Sequence, residues 1–415
     1  MGLPLEGITV VDFTRMFAGP YCSQMLGDMG AEVIKVELPS LTEEKYGPHG
    51  LYGLEPDDTT FRSSMFLGLN RNKKSITIDL KHPKGKEIIH QLIQKSDVVM
   101  SNFRPGVMEK LGLGYADCEA TNPRIIYCYQ TGYGPDGPYA YKAGQDLLAQ
   151  GLGGTMQLLR YEDGWPIPVG TSFADLNCSL YAVYGIMVAL FVRERTGVGQ
   201  RIDVNLLDSV LASQPQEITH FLNSGEMPAT MPRGGGMSQL SEPCGVYQTQ
   251  DDFIVLNAAR PGSLPVACRA LGIPNLEEDD RFSTDVKKKL NKYELRAEIQ
   301  KVLLGRTTAE WLARLEAEDV WCAPVYDYER VFSDPQVVHN QMVCTVEGKN
   351  GPLRMLGIPA KLSKTPGSVR RGAPILGEHT EEILQWLGYA PDEIDSLEED
   401  RVVTLQHGVH QNSDR

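Results

Sequence analysis

A chain of 415 residues, 41% hydrophobic and 23% charged, has the composition of a folded globular protein and more length than one core usually serves. Its formal net charge of −14 excludes a general nucleic-acid or membrane-surface binder, because the average field would repel a phosphate-covered partner. The eight scattered cysteines form no CxxC and no zinc-finger spacing, which argues against a disulfide framework or a zinc site and for reduced thiols.

The first part of the chain alternates strand and helix patterns. Residues 8–13 and 31–37 read as strands, 21–29 as a helix between them, 83–95 as a second helix, and 97–100 and 124–129 as further strands. Helices between strands imply right-handed βαβ units and a mostly parallel sheet. An apolar run, 176–195, reads as a long helix closed by Thr196-Gly197-Val198-Gly199, followed by a strand at 201–205. The run is interrupted by Asn177 and Cys178, which argues against a bilayer span. Near Gly225 the sequence turns rich in Pro and Gly, with Pro228, Pro232 and Gly234-Gly235-Gly236 marking a crossing between domains. Beyond it come a strand at 253–256 and helices at 264–271, 288–304 and 308–318. A last ordered helix falls at 379–387, and the residues after Val403 read as a loose tail. The expected division is a large domain over 1–224, a small α/β domain over 225–330, a return to the large domain over 331–403 and a tail over 404–415. The N-terminus has neither the basic nor the apolar region of a secretory signal, so a cytoplasmic location is expected.

Familiar signatures are absent: no GxGxxG after a strand, no Walker lysine loop, no HExxH and no GxSxG elbow. Gly151-Leu152-Gly153-Gly154 is too short for a dinucleotide fingerprint and reads as a tight turn. Two features remain. Asp175 is the last charge before the long apolar run, where a poorly solvated carboxylate can act as a nucleophile. The same position suits an N-cap, so both roles stand open. Arg71, Lys73, Lys74, Lys81, Arg104, Lys110 and Lys142 fall at strand and helix ends, where cations can converge on a polyphosphate or simply form a solvated face.

Six motifs occur in order: Phe17-Ala18-Gly19-Pro20, Gly30-Ala31-Glu32-Val33-Ile34-Lys35-Val36-Glu37, Asn70-Arg71-Asn72-Lys73-Lys74-Ser75-Ile76, Asn102-Phe103-Arg104-Pro105-Gly106, Gly132-Tyr133-Gly134-Pro135-Asp136-Gly137-Pro138 and Leu376-Gly377-Glu378-His379-Thr380. Together they resemble the class III CoA-transferases, the group of formyl-CoA, carnitine, oxalate, benzylsuccinate and glutarate CoA-transferases that also contains the α-methylacyl-CoA racemases. The resemblance runs to about Val403. It implies a large Rossmann-like parallel-sheet domain, a smaller α/β domain and a ring-like subunit in an interlocked homodimer. It makes Asp175 the nucleophile and puts Phe17 and Ala18 along the CoA thiol arm. By the same resemblance Ile78, Asp79, Leu80, Lys81, Asn102, Phe103 and Arg104 contact the nucleotide, Lys110 approaches a phosphate, and Lys142 with its neighbours to Gln145 lines the pantetheine path.

The chemistry so implied needs no metal and no permanently bound cofactor: coenzyme A enters as acyl-CoA substrate, and the partner is a free carboxylic acid. Backbone amides of Gly234, Gly235 and Gly236 are candidates for an oxyanion site, against a plain hinge. Racemases of the group carry a His in a Gly-His-Asp segment where this chain has Gly144-Gln145-Asp146, and Gln145 cannot transfer a proton. Transferase is therefore the reading, with racemase or CoA-ester isomerase and a non-catalytic CoA-binding protein as alternatives. Two segments depart from the family pattern. Leu38-Pro39-Ser40-Leu41-Thr42-Glu43-Glu44-Lys45 lacks the usual Gly-Asp and Arg, and Ala258-Ala259-Arg260-Pro261-Gly262 replaces an Asn- and Trp-rich loop.

Overall fold

The computed structural model describes residues 2–39, 64–160, 164–228, 233–236, 242–348 and 351–406. The departure at 40–45 and residues 407–415 of the expected tail lie outside them. The chain divides into two compact units: residues 1–153, 170–213 and 335–415 in one, and 154–169 with 214–334 in the other. The second unit thus takes in 154–169 and begins eleven residues before the Pro/Gly-rich passage, because the helix Pro215–Ser224 ahead of that passage belongs to it.

The first unit is built on a six-stranded sheet: β1 Thr9–Asp12, β2 Glu32–Glu37, β3 Lys73–Thr77, β4 Val98–Ser101, β5 Ile126–Thr131 and β6 Gln200–Asn205. Every pairing is parallel and the spatial order is β3-β2-β1-β4-β5-β6. This is the doubly wound order in which the chain departs in opposite directions from β1 and β4, leaving a crevice outside their carboxyl ends. Central strands are apolar on both sides, as a sheet covered on two faces requires. On one face Val11, Ile34, Ile76 and Val99 pack with Ile88, Ile89 and Leu92 of helix α2, Pro83–Gln94. On the other, Val10, Val33, Val98, Met100 and Ile126 pack with Leu26 of helix α1, Ala18–Asp28, and with Ala182, Ile186 and Ala189 of a long helix. Strand β3 was legible only as a basic motif, since Lys73, Lys74 and Ser75 give it no apolar alternation.

Two further helices of this unit matter below: α3, Asp146–Leu152, and the long helix α4, Phe173–Thr196. By length and composition α4 is apolar enough to cross a membrane, yet its residues Ala182, Ile186 and Ala189 are buried against the sheet. Helices α5, Thr380–Leu387, and α6, Pro391–Glu399, place Ile383, Leu384, Ile394 and Leu397 in the same core as α2.

The second unit holds a three-stranded antiparallel sheet of Cys244–Gln248, Phe253–Asn257 and Trp321–Pro324. Tyr247, Ile254 and Leu256 on one face of it pack with Leu271, Ile299, Leu303, Trp311 and Leu315 from three helices. The single helix expected over 288–304 is broken at Asn291 into Asp285–Leu290 and Lys292–Leu303.

Candidate active site

The crevice at the switch point is framed by the loops that follow β1 and β4. They are tied together by two bonds: the Arg15 N–H donates to Asn102 Oδ1 at 2.9 Å, and Asn102 Nδ2 donates to the Arg15 carbonyl at 2.6 Å. The Arg15 guanidinium lies 4.9 Å from the centroid of the Phe103 ring. Met16, two residues before α1, is exposed and adopts φ 66, a left-handed conformation that costs a non-glycine residue free energy. Arg15 and Met16 escaped notice in the sequence because nothing in a single Asp-Phe-Thr-Arg-Met segment distinguishes a crevice loop from any other.

Asp175 lies in the first turn of α4, whose N-cap is Ser172, so it is not the cap that its sequence neighbourhood allowed. The cap comes from elsewhere. Asp146 Oδ1 accepts the backbone N–H groups of Ala174 at 2.6 Å and Asp175 at 3.1 Å, satisfying two of the orphan donors of α4. Its second oxygen accepts Gln150 Nε2 at 2.6 Å, and Asp146 itself is buried. The close approach that brings Asp146 there needs glycine: a Cβ on Gly144 would come within 2.5 Å of the Gly132 Cα, and the reverse holds. This accounts for Gly132 of the Gly-Tyr-Gly-Pro motif and Gly144 of the Gly-Gln-Asp segment as one crossing of two loops.

The Asp175 carboxylate is half-buried and accepts the backbone N–H of Ala18, at the first turn of α1. It thus faces the positive ends of two helices, α1 and α4, which favour an anion. Burial, reinforced by the neighbouring Asp146 charge, raises its pKa to about 7, and the Ala18 N–H opposes the rise. The result is a carboxylate poorly solvated for its type. Ser179 of the next turn ties the two helix ends together through the backbone, its hydroxyl proton shared between the Ala18 carbonyl at 2.8 Å and the Asp175 main-chain carbonyl at 2.7 Å. Such a group can attack an electrophilic carbonyl or exchange a proton near neutrality. Gln145 is exposed, and its Oε1 accepts the Leu147 N–H at 3.1 Å to cap α3, with no titratable proton to offer.

The basic residues divide sharply. Lys81 and Arg104 are exposed in the loops that follow β3 and β4, Lys110 is exposed in the last turn of the short helix Val107–Leu111 after β4, and none of the three forms an ion pair among the described residues. Lys142 is exposed and lies 3.6 Å from the Tyr139 ring centroid. Arg71, Lys73 and Lys74, by contrast, are structural, which corrects their place in a ligand-binding cluster. Arg71 is buried against Asp28 at 2.7 Å and also bonds the Leu356 carbonyl. Lys73 is fully buried, 3.1 Å from Asp12 and bonded to the Pro20 carbonyl and Asn70. Lys74 pairs with Glu32 and Glu382. Burial alone would raise the Asp12 pKa, but the Lys73 and Lys35 ammoniums and the Ser23 and Thr14 hydroxyls outweigh it and hold the carboxyl well below its usual range. Burial brings Lys73 down to about 8 despite Asp12.

Ile78 and Leu80 send their side chains into the core, so the loop 78–81 offers a ligand its backbone, Asp79 and Lys81. Phe17 is half-buried, 5.8 Å from Tyr21 between ring centroids, and Ala18 is buried. In the second unit Gly235 bridges Gly245, and the Gly236 N–H donates to the Cys244 carbonyl at 2.8 Å, which removes it from any oxyanion role. A cavity of about 420 Å³ opens beside Pro105 and Gly106, but Glu109, Asp136 and Asp203 line it against Arg201 alone, a poor place for phosphate. Among the described residues no group of three His, Cys, Asp or Glu side chains is placed to hold a metal.

The sequence model of CoA-transferase family III matches residues 5–380. The chain belongs to CoA-transferase family III. This family III chain is 36% identical over 385 residues to the succinyl-CoA:glutarate CoA-transferase of Mus musculus, covering 92% of this chain and 86% of that protein. It is 35% identical to the succinate–glutarate CoA-transferase of Agrobacterium fabrum, covering 92% and 95%. The crystal structure of a CAIB/BAIF family protein from Brucella suis matches the family III fold with a TM-score of 0.82 at 33% identity, covering 93% of this chain and all of that one.

Proposed function

We propose that this family III CoA-transferase moves CoA from an acyl-CoA donor to a free carboxylic acid through covalent intermediates on Asp175. One observation carries the reading: a desolvated carboxylate held between two helix N-termini at the switch-point crevice. The Asp175 carboxylate attacks the donor thioester carbonyl; the C–S bond breaks, CoA thiolate departs and a mixed aspartyl anhydride remains. The thiolate then attacks the aspartyl carbonyl, releasing the donor acid and leaving an aspartyl-CoA thioester. The acceptor carboxylate attacks that thioester, forming a second anhydride and freeing the thiolate again. Attack of the thiolate on the acceptor's acyl carbon gives the new acyl-CoA and restores Asp175. No bond energy is lost to water, so no nucleotide triphosphate is needed.

CoA would lie along the carboxyl edge of the sheet, its phosphates toward Lys81, Arg104 and Lys110 and its thiol arm passing Phe17 and Ala18 toward Asp175. Exposed cations at loop ends beyond parallel strands suit a polyphosphate, and Lys142 with Gln145 would border the thiol arm. The relatives named for glutarate suggest succinyl-CoA as donor and a short dicarboxylic acid as acceptor.

A homodimer fits the outer face of α4, where Leu180, Tyr181, Tyr184, Met187, Val188 and Phe191 are exposed together. A ring-like, interlocked arrangement is the form we propose for it. The eight free cysteines, six of them buried, suit a reducing compartment such as the cytoplasm.

Hydroxylamine trapping tests the mechanism. Protein incubated with succinyl-CoA and then hydroxylamine should carry a hydroxamate on Asp175 and lose activity. CoA binding with no label at Asp175 would leave a binding protein instead. Exchange of the substrate α-hydrogen with deuterated water, in the absence of an acceptor acid, would favour a racemase.

A further inference from the structure

Strand β3 is an outer strand of the sheet, so its outward backbone groups need partners beyond β2. The C-terminal residues supply them. The His379 N–H donates to the Ser75 carbonyl at 2.9 Å, the Ser75 N–H donates to His379 Nδ1 at 3.3 Å, and the Thr77 N–H donates to Thr380 Oγ1 at 3.2 Å. The Gly377 N–H reaches Ser75 Oγ at 2.8 Å. This gives the Leu-Gly-Glu-His-Thr motif a physical role as a clip on the sheet edge.

The last described residues go further along the same edge. Thr77 Oγ1 donates to the Thr404 carbonyl and accepts the Thr404 N–H, both at 2.8 Å. The Asp79 N–H donates to the Val402 carbonyl at 2.8 Å, and Gln406 Nε2 donates back to the Leu376 carbonyl at 2.7 Å. Val402 and Val403 are buried in the core cluster that holds Ile78 and Leu80. From the other side the loop touches α2: a Cβ on Gly85 would come within 2.1 Å of the Asp79 carbonyl oxygen. Inside the loop, Asp79 Oδ1 accepts the Lys81 N–H at 2.9 Å. Loop 78–81 is thus clamped between α2 and the strap 402–406, and Lys81 is carried on the clamped turn.

We propose that residues 402–406 are a positioning element for the nucleotide end of CoA, acting through the loop 78–81. The proposal rests on the reading of that loop as a nucleotide contact. The strap touches no reacting atom, so its loss should weaken CoA binding and leave the chemistry at Asp175 alone.

Two variants test this: a chain ending at Val403, and Thr77→Val, which keeps Val402 and Val403 in the core and removes only the hydroxyl that holds Thr404. Each should raise the acyl-CoA KM and the Kd for free CoA on the order of tenfold, with kcat and the acceptor KM within about twofold of wild type. The penalty should vanish with an acyl-pantetheine substrate, which has no nucleotide. A fall in kcat at unchanged KM, or the same penalty with acyl-pantetheine, would mark the strap as merely structural and overturn the proposal. Wild-type protein that binds CoA as tightly as both variants overturns the strap alone. Wild-type protein that does not bind CoA overturns the underlying site and the proposal with it.

Discussion

Asp146 Oδ1 accepts the backbone N–H of Asp175 at 3.1 Å, so a second carboxylate holds the turn on which the proposed nucleophile sits. Its charge and its hydrogen-bonding act in opposite ways on Asp175. The charge raises the Asp175 pKa, while the bonds fix the helix end that points the carboxylate at the crevice.

These two effects separate in a pair of substitutions. Asp146→Asn keeps an acceptor oxygen and removes the charge, so the Asp175 pKa should move down toward the usual carboxylate range, and the acid limb of the rate profile with it. Asp146→Ala removes the cap as well and should cost about 1 kcal/mol of stability in urea unfolding. Equal pH profiles for wild type and Asp146→Asn would remove Asp146 from the electrostatics of the site.

Asp175→Asn should lower CoA exchange at least about a thousandfold while leaving the CoA Kd within a few-fold of wild type. Steady-state exchange and calorimetric titration with CoA check the two halves. Substantial remaining turnover would end the assignment.

With an Asp175 pKa of about 7 and attack by the ionised form, kcat/KM for acyl-CoA should rise with pH and reach half its plateau near pH 7. Stability moves the other way. Because the folded pKa lies above the ordinary 3.8, the folded protein takes up a proton at this site between those values. The site's contribution to stability is complete below pH 3.8 and is lost as pH rises through 7. The advantage of Asp175→Asn over wild type should therefore grow with pH, its melting temperature rising relative to wild type by about 2 to 4 °C between pH 5 and pH 8.5, read by calorimetry.

Lys73→Met removes the ammonium 3.1 Å from the fully buried Asp12 and should cost about 3 to 5 kcal/mol. Lys110→Ala should leave the melting temperature unchanged and raise the acyl-CoA KM several-fold. Thermal melts beside Michaelis curves would show the two lysines exchanging neither phenotype. A Lys73→Met protein of normal stability with weakened acyl-CoA binding would return Lys73 to the ligand.

The parallel sheet and its crossover helices were legible because β1, β2, β4 and β5 are short apolar runs separated by helical periods. Asp175 stood out through the apolar run behind it. Its cap did not, since the capping rules look to the residues just ahead of a helix, whereas Asp146 arrives from 29 positions upstream through the Gly132 and Gly144 crossing. The same limit misplaced Arg71 and Lys73: whether a cation is solvated or paired depends on Asp28 and Asp12, 43 and 61 residues away. Thr404, Leu405 and Gln406 looked like tail because a short unpatterned segment gives no local sign of its distant partners, Thr77 on the strand edge, Glu398 on α6 and the Leu376 carbonyl.

Helix α4 is 24 residues and so about 36 Å long. At its far end Arg193 is locked to Asp97, 2.9 Å away, and Asp97 Oδ2 in turn accepts the Thr9 N–H at 2.7 Å, at the start of β1. The strut that carries Asp175 is therefore bolted to the floor of the sheet whose rim forms the crevice. On the proposed mechanism a nucleophile mounted in this way would have little freedom to travel between one partner and the next, and the successive acyl groups would have to swing to meet it.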